Sequence, residues 1–363
     1  MINNWEETKL GKLCDVIAGQ SPQSKFYNKE KYGLPFYQGK KEFTNKYIGE
    51  TEIYTSKITK IALPNDILMS VRAPVGPINY AVKKCCIGRG LAAIRVKEGV
   101  LSDFIYYFLL SKQDYIKGHE GTTFNSISRN EIEDLNIIFP PIEEQKKIVE
   151  KLDNAFQKIE ALENNTKENI KNIEDLFKSY LNKILNTNNY DYISTPFENC
   201  LEKVKNTTKI QSKKFLKYGK YPIISQEKEF INGYWNDESD IFKVDTAVII
   251  FGDHTKNIKY IDFDFVRGAD GVKILKPKNC IIPKYFFYYL NSLNIRNLGY
   301  ARHYKLLKEY LIKYPNNIEE QKKIVDKLDI FNNKIESIKQ NYQNKLTLLE
   351  KLKKSILNKA FNG

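Results

Sequence analysis

Apolar and polar residues follow two different rhythms along this chain, and each rhythm occurs twice. From residue 142 onward the apolar side chains step by fours and threes. They run through Ile148, Leu152, Ala155, Phe156, Ile159 and Leu162, then Ile170, Ile173, Leu176, Phe177, Tyr180 and Ile184. The same stepping returns in Leu328, Phe331, Ile335, Ile338, Tyr342, Leu349, Leu352 and Ile356. A stripe of that period, with Lys, Glu and Asn around the rest, predicts a long amphipathic helix in each half. Residues 142–185 alone would span roughly 65 Å. Both helices open on nearly the same words, PPIEEQKKIVEKLD at 140–153 and NNIEEQKKIVDKLD at 316–329, which agree at eleven of fourteen positions and lie 176 residues apart. Pro140, Pro141 and Pro315 suit the residues at or before a first turn. Glu143, Glu144, Glu319 and Glu320 then put negative charge where the helix dipole favours it.

Between the helices the pattern changes to short β-type runs broken by turn signals. These are LPNDILMSVRAPVG and GRGLAAIRV in the first half, VDTAVIIFGD and DGVKILKP in the second. An aromatic helix follows each time, FIYYFLL at 104–110 and YFFYYLN at 285–291. The expected fold class is α+β, with globules at 1–139 and 187–315 and long helices at 140–186 and 316–363. The hinge between halves is Asn186–Asn189. An apolar stripe needs cover, and the simplest cover for one helix is the other. Antiparallel pairing as a coiled coil would relate the two globules by a pseudo-twofold axis. Lys345 within the seam, and a polar gap at 164–169, predict imperfect pairing or partial cover by another protein.

At 363 residues, with 42% hydrophobic residues, 24 Tyr and 20 Phe, each half can bury a core of its own. The formal charge of +14 suits a polyanionic partner through counterion release. A genome whose codons favour Lys, Asn and Ile would produce the same excess, so the charge alone decides little. Five cysteines without a CxxC and three histidines (His119, His254, His303) argue against a zinc site. No basic-then-apolar leader opens the sequence, and no apolar run approaches the ~18–20 residues of a membrane span. A soluble, cytoplasmic protein without a membrane partner is expected.

Several segments, taken together in order, resemble one family. They are GLPFYQGK at 33–40, LMSVRAPVG at 68–76, GRGLAAI at 88–94 and GTTFNSIS at 121–128 in the first half. In the second they are YPIIS at 221–225, FGDHTK at 251–256, GADGVKIL at 268–275 and LGYARHYKLLKE at 298–309, with the two EEQKKIV openings beside them. The chain resembles the specificity subunit of type I restriction–modification systems over essentially its whole length. The resemblance implies two target-recognition domains, each reading one half of a split double-stranded DNA sequence, and helices that set the gap between the halves. It further implies two docked adenine-N6 methyltransferase subunits, which bind S-adenosylmethionine, and two motor-nuclease restriction subunits, which use ATP and Mg. The specificity subunit itself holds no cofactor and no metal and does no chemistry.

The residues agree with that absence of chemistry. There is no GxGxxG opening a helix and no Walker A sequence. Phe139-Pro140-Pro141-Ile142 departs from an adenine-methyltransferase signature at its first and last residues, and the second repeat lacks it. Asp253, His254 and His303 as an acid–base group have no counterpart in the first half, and Asp262, Asp264 and Asp270 read better as a strand face than as a metal site. A self-contained modification enzyme or nuclease, and a coiled-coil adaptor without a DNA role, are the rival functions.

Base readout needs donors and acceptors that reach groove edges, whereas phosphate contacts need Lys, Arg and backbone amides. In the first half the candidates are Ser24, Lys25, Lys40, Lys41, Arg72, Arg89, Thr122, Thr123, Asn125 and Ser126. In the second they are Lys213, Lys214, His254, Lys256, Arg267, Arg302, His303 and Lys305. A solvated surface position is the rival explanation for each lysine. For Arg72 and Arg89, in tight RAP and GRG contexts, the rival is a tie to backbone carbonyls.

Overall fold

The computed structural model describes residues 5–113, 116, 126–187, 190–205, 207–299 and 301–361. They form two compact units, residues 1–166 with 344–363, and residues 167–343. The predicted long helices are Ile142–Leu185 and Ile318–Phe361, 44 residues each. Each unit therefore contains the first part of one helix and the last part of the other.

In unit 1 a four-stranded sheet runs in the order Cys14–Ala18, Leu91–Val96, Ile67–Ser70, Ile78–Tyr80. A second sheet runs Tyr27–Asn28, Tyr54–Thr55, Leu34–Tyr37, Cys85–Ile87, Ile61–Ala62. Unit 2 repeats the first and, with four strands in place of five, the second. One sheet runs Leu201–Glu202, Val272–Pro277, Val248–Gly252, Ile258–Ile261. The other runs Gly233–Trp235, Tyr221–Ile224, Phe265–Arg267, Ile241–Phe242. The match extends to strand direction. Phe36 and Tyr37 pair parallel with Cys86 and Ile87, as Ile223 and Ile224 pair parallel with Val266 and Arg267. The adjacent cysteines of the sequence are thus buried strand residues.

The aromatic helices Ser102–Ser111 and Pro283–Ser292 sit where predicted, and they explain the duplicated helix opening. Gln145 is fully buried, accepting from the Leu101 amide at 3.0 Å and donating to the Pro140 carbonyl at 2.9 Å. Gln321 repeats this, accepting from the Ile282 amide at 2.8 Å and donating to the Pro315 and Cys280 carbonyls at 2.9 Å. Leu101 and Ile282 are the N-caps of the aromatic helices, whose first amides lack intrahelical partners. Two turns on, Tyr107 donates to Asp153 and Tyr288 to Asp329, each at 2.5 Å. The repeated Gln and Asp therefore fasten each long helix to its aromatic helix. The apolar residues between them supply the packing.

Within each unit the two helix segments run antiparallel. In unit 1 Lys353 bonds Glu163 at 2.7 Å and lies 6.0 Å from the Phe156 ring, while Leu357 and Phe361 enter the core beside Val149 and Leu152. Phe361 reaches the aromatic helix, 5.2 Å from Phe104. In unit 2 Lys339 bonds Glu174 at 3.3 Å, Phe331 stands 4.0 Å from Tyr180, and Leu181 and Leu185 enter the core. Lys345 is solvent-exposed rather than held in a seam. Leu162, Leu176, Ile338, Leu348 and Leu352 are also exposed, so the apolar stripes are only partly covered. No helix among the described residues is long and apolar enough to cross a membrane.

Candidate nucleic-acid interface

Three loops of unit 1 meet at a cavity of about 240 Å³ whose lining includes Gln38, Lys40, Ser70, Arg72, Arg89 and Gly90. The loops follow strands Leu34–Tyr37, Ile67–Ser70 and Cys85–Ile87. Backbone bonds lock them together: Gly88 N to Tyr37 O at 2.8 Å, Gly90 N to Gln38 O at 3.1 Å, and Val71 N to Gly90 O at 3.0 Å. The closeness of approach dictates the glycines of GRG. A Cβ on Gly90 would lie 2.3 Å from the Gln38 carbonyl oxygen, and one on Gly88 would lie 2.9 Å from Ser21 Oγ. Arg89 is then the only side chain beyond Cβ that this turn presents, and it is exposed, its own amide held by Ser21 Oγ at 3.1 Å.

Arg72 is exposed as well, and Ser126 bridges to it in antiparallel register, with the Ile127 amide donating to Val71 O at 3.1 Å. The structure thus brings Lys40, Arg72, Arg89 and Ser126 to one place. Among the described residues neither guanidinium makes a hydrogen bond or ion pair, so neither is tied to a described carbonyl. Ser24 and Lys25 lie on an exposed turn, Ser24–Phe26, and Lys41 beside Lys40 on another, Lys40–Glu42. Thr122, Thr123 and Asn125 lie outside the described residues.

Unit 2 builds the same backbone frame with other side chains. Gly268 N donates to Ile224 O at 2.9 Å, Asp253 N to Gly271 O at 2.7 Å, and His303 N to Asp253 O at 2.7 Å. By these bonds Arg72 corresponds to His254, Ser126 to Arg302, and the Gly88–Gly90 turn to Gly268–Gly271, where Ala269 and Asp270 replace the single Arg89. Gly271 needs its φ of +74°, and a Cβ there would meet Gln226 Oε1 at 2.4 Å. That oxygen accepts the His254 amide at 3.1 Å. His254 and Lys256 are half-buried, with Lys256 Nζ directed to Ile295 O at 3.4 Å. Lys213 and Lys214 sit on an exposed turn, Ser212–Lys214, and Arg302 and Lys305 are exposed.

Two expected contacts are framework residues instead. Arg267 is only 9% exposed and its Nη2 donates to the Val272 carbonyl; burial, which disfavours the charged form, lowers its pKa. His303 is fully buried: Nε2 accepts the Leu298 amide at 3.0 Å, so Nδ1 carries the proton and donates to Asp253 O at 3.0 Å. Both hold the loops and cannot reach a groove. Asp253 itself accepts the Tyr304 amide at 2.8 Å, and Asp264 accepts the Val244 amide at 2.7 Å and pairs with Lys243 at 3.2 Å. Their carboxylates thus stabilise loops. Gln145 and Gln321, by contrast, were visible in the sequence only as letters of a repeat.

The family described as type I restriction modification DNA specificity domain matches residues 2–172 and again 200–348. Over 155 residues the chain is 46% identical to the protein named as the MjaX type I restriction enzyme specificity subunit of Methanocaldococcus jannaschii; the match covers 41% of this chain and 36% of the relative. The chain thus matches about a third of the length of that curated relative. The HsdS subunit from Thermoanaerobacter tengcongensis is 39% identical over 44% of this chain and 39% of its own, with a TM-score of 0.41. The type I restriction–modification S subunit from M. genitalium covers 99% of this chain and 96% of its own, at 20% identity and a TM-score of 0.42.

Proposed function

Because the chain belongs to the type I restriction–modification DNA specificity family, we propose that it is a non-catalytic specificity subunit whose two units each read one half of a bipartite double-stranded DNA target. One observation carries this reading. The same three-loop frame occurs twice, with Arg72, Arg89 and Ser126 on one copy and His254, Asp270 and Arg302 on the other. A constant frame with variable side chains suits two readers of different short sequences, since sequence is read by side chains at groove edges. The charge of +14 supplies the sequence-independent attraction.

The long helices set the gap between the two halves and dock two adenine-N6 methyltransferase subunits. Exposed Leu162, Leu176, Ile338, Leu348 and Leu352 support a protein cover on them, because amphipathic stripes do not remain in water without one. S-adenosylmethionine belongs to those partners, and ATP and Mg to two restriction subunits of the full complex. The assembly works in the cytoplasm. Replacing residues 190–315 by the corresponding segment of a relative tests the reading. One half of the methylated sequence should change while the other half and the gap persist. Changes in both halves would contradict independent readers.

A further inference from the structure

Lysine outnumbers arginine in this chain by 51 to 7. Positive charge by itself is therefore supplied as lysine, and arginine marks places where a planar, five-donor fork is wanted. Three of the seven bond within the protein, and one of them, Arg95, as a fork. Arg95 forks onto Asp66 at 2.7 and 3.0 Å, Arg129 bonds Glu133 at 2.7 Å, and Arg267 donates to the Val272 carbonyl. Arg296 and Arg302 are exposed on unit 2. The remaining two, Arg72 and Arg89, converge on one cavity with no acceptor among the described residues. Their backbones are held firmly, Arg89 between two glycines that admit no Cβ and Arg72 bridged to Ser126. Two arginines on fixed backbones at one concavity, without an acceptor among the described residues, are free to meet an external acceptor of matching planar geometry.

On a DNA duplex two such acceptors exist: a phosphate, and the O6/N7 edge of guanine in the major groove. Lysine also binds phosphate, as a point charge, and this chain supplies its positive charge almost wholly as lysine, so two arginines at one cavity favour the planar guanine edge. We infer that Arg72 and Arg89 are specificity-determining residues that read guanine in the half-site bound by unit 1. The inference rests on the DNA-reading function proposed above and adds the base class. In unit 2 the corresponding positions carry His254 and Ala269–Asp270, so its half-site is read by a different set of groups.

The test uses the full chain together with its methyltransferase partner, with Arg89→Lys, Arg89→Gln and Arg72→Lys as variants. Methylated adenines are mapped genome-wide, and binding by the purified complex is measured in competition with duplexes carrying single-base changes. The wild type should show guanine in the half that stays constant when residues 190–315 are exchanged. Each Arg→Lys variant should relax a guanine position in that half, with discrimination against the wrong base falling by roughly tenfold to a hundredfold. The other half should not change. An unchanged motif with uniformly weaker binding and a shallower salt dependence would assign the arginines to phosphates and overturn the inference. So would a unit 1 half-site without guanine. In either case the wild-type bipartite motif would still stand, whereas its absence would refute the DNA-reading function itself.

Discussion

Single residues explain why a stretch of sequence recurs 176 positions on. Gln145 and Gln321 satisfy both the N-cap amide of an aromatic helix and a proline carbonyl just ahead of the long helix. Replacing Gln145 by Leu leaves those two buried groups without partners, a loss of about 1–3 kcal/mol. Thermal unfolding of the variant should shift down accordingly, and Gln321→Leu should behave alike; an unchanged midpoint for both would dismiss the clamp. Neither role was legible in the sequence, because a glutamine beside Glu and Lys reads as solvated helix surface until the strand and the N-cap are brought to it. Chemistry at the cysteines follows burial in the same way. Burial pushes the thiols of Cys14 and Cys85 up to about 12 and that of Cys200 to about 11, whereas Cys280 is exposed. Since the thiolate is the reactive form, iodoacetamide should alkylate Cys280 alone in the native protein and all five cysteines after unfolding, as read by mass spectrometry. Native labelling of Cys14 or Cys85 would contradict the cores described here.

At the scale of elements, the long helices and aromatic helices were legible because a period near 3.6 sustained over many residues has few rivals. The second sheet of each unit was not. Several of its strands are two residues long, too short to show an alternation, and they exist only because parallel neighbours such as Phe36 and Cys86 pair across fifty residues of chain. The framework roles of Arg267 and His303 were hidden for a like reason, since burial is a tertiary property. The helix ends carry energy as well as length. Phe361, packed against Phe104 and Phe108, should cost about 3 kcal/mol when cut to Ala, seen as a lowered unfolding midpoint for unit 1. Inserting four residues after Asn165 adds one turn and roughly 6 Å, close to two base-pair steps at about 3.4 Å. The gap in the methylated sequence should lengthen while both halves stay the same.

At the scale of the whole molecule, the chain is one plan executed twice. Each unit has two larger sheets and a two-stranded one, an aromatic helix, a three-loop frame and an antiparallel helix pair, and the frames carry different side chains. Different side chains on a shared frame, Arg72 against His254 and Arg89 against Ala269–Asp270, are what the proposed reading of two unlike half-sites requires. Binding by the assembled complex should weaken steeply with salt, since phosphate contacts release counterions. The most direct measurement is a genome-wide map of methylated adenine in cells expressing this chain with its methyltransferase. It should return one asymmetric motif in two short specified halves separated by a fixed stretch of unspecified bases. A single continuous motif, or none, would contradict the account.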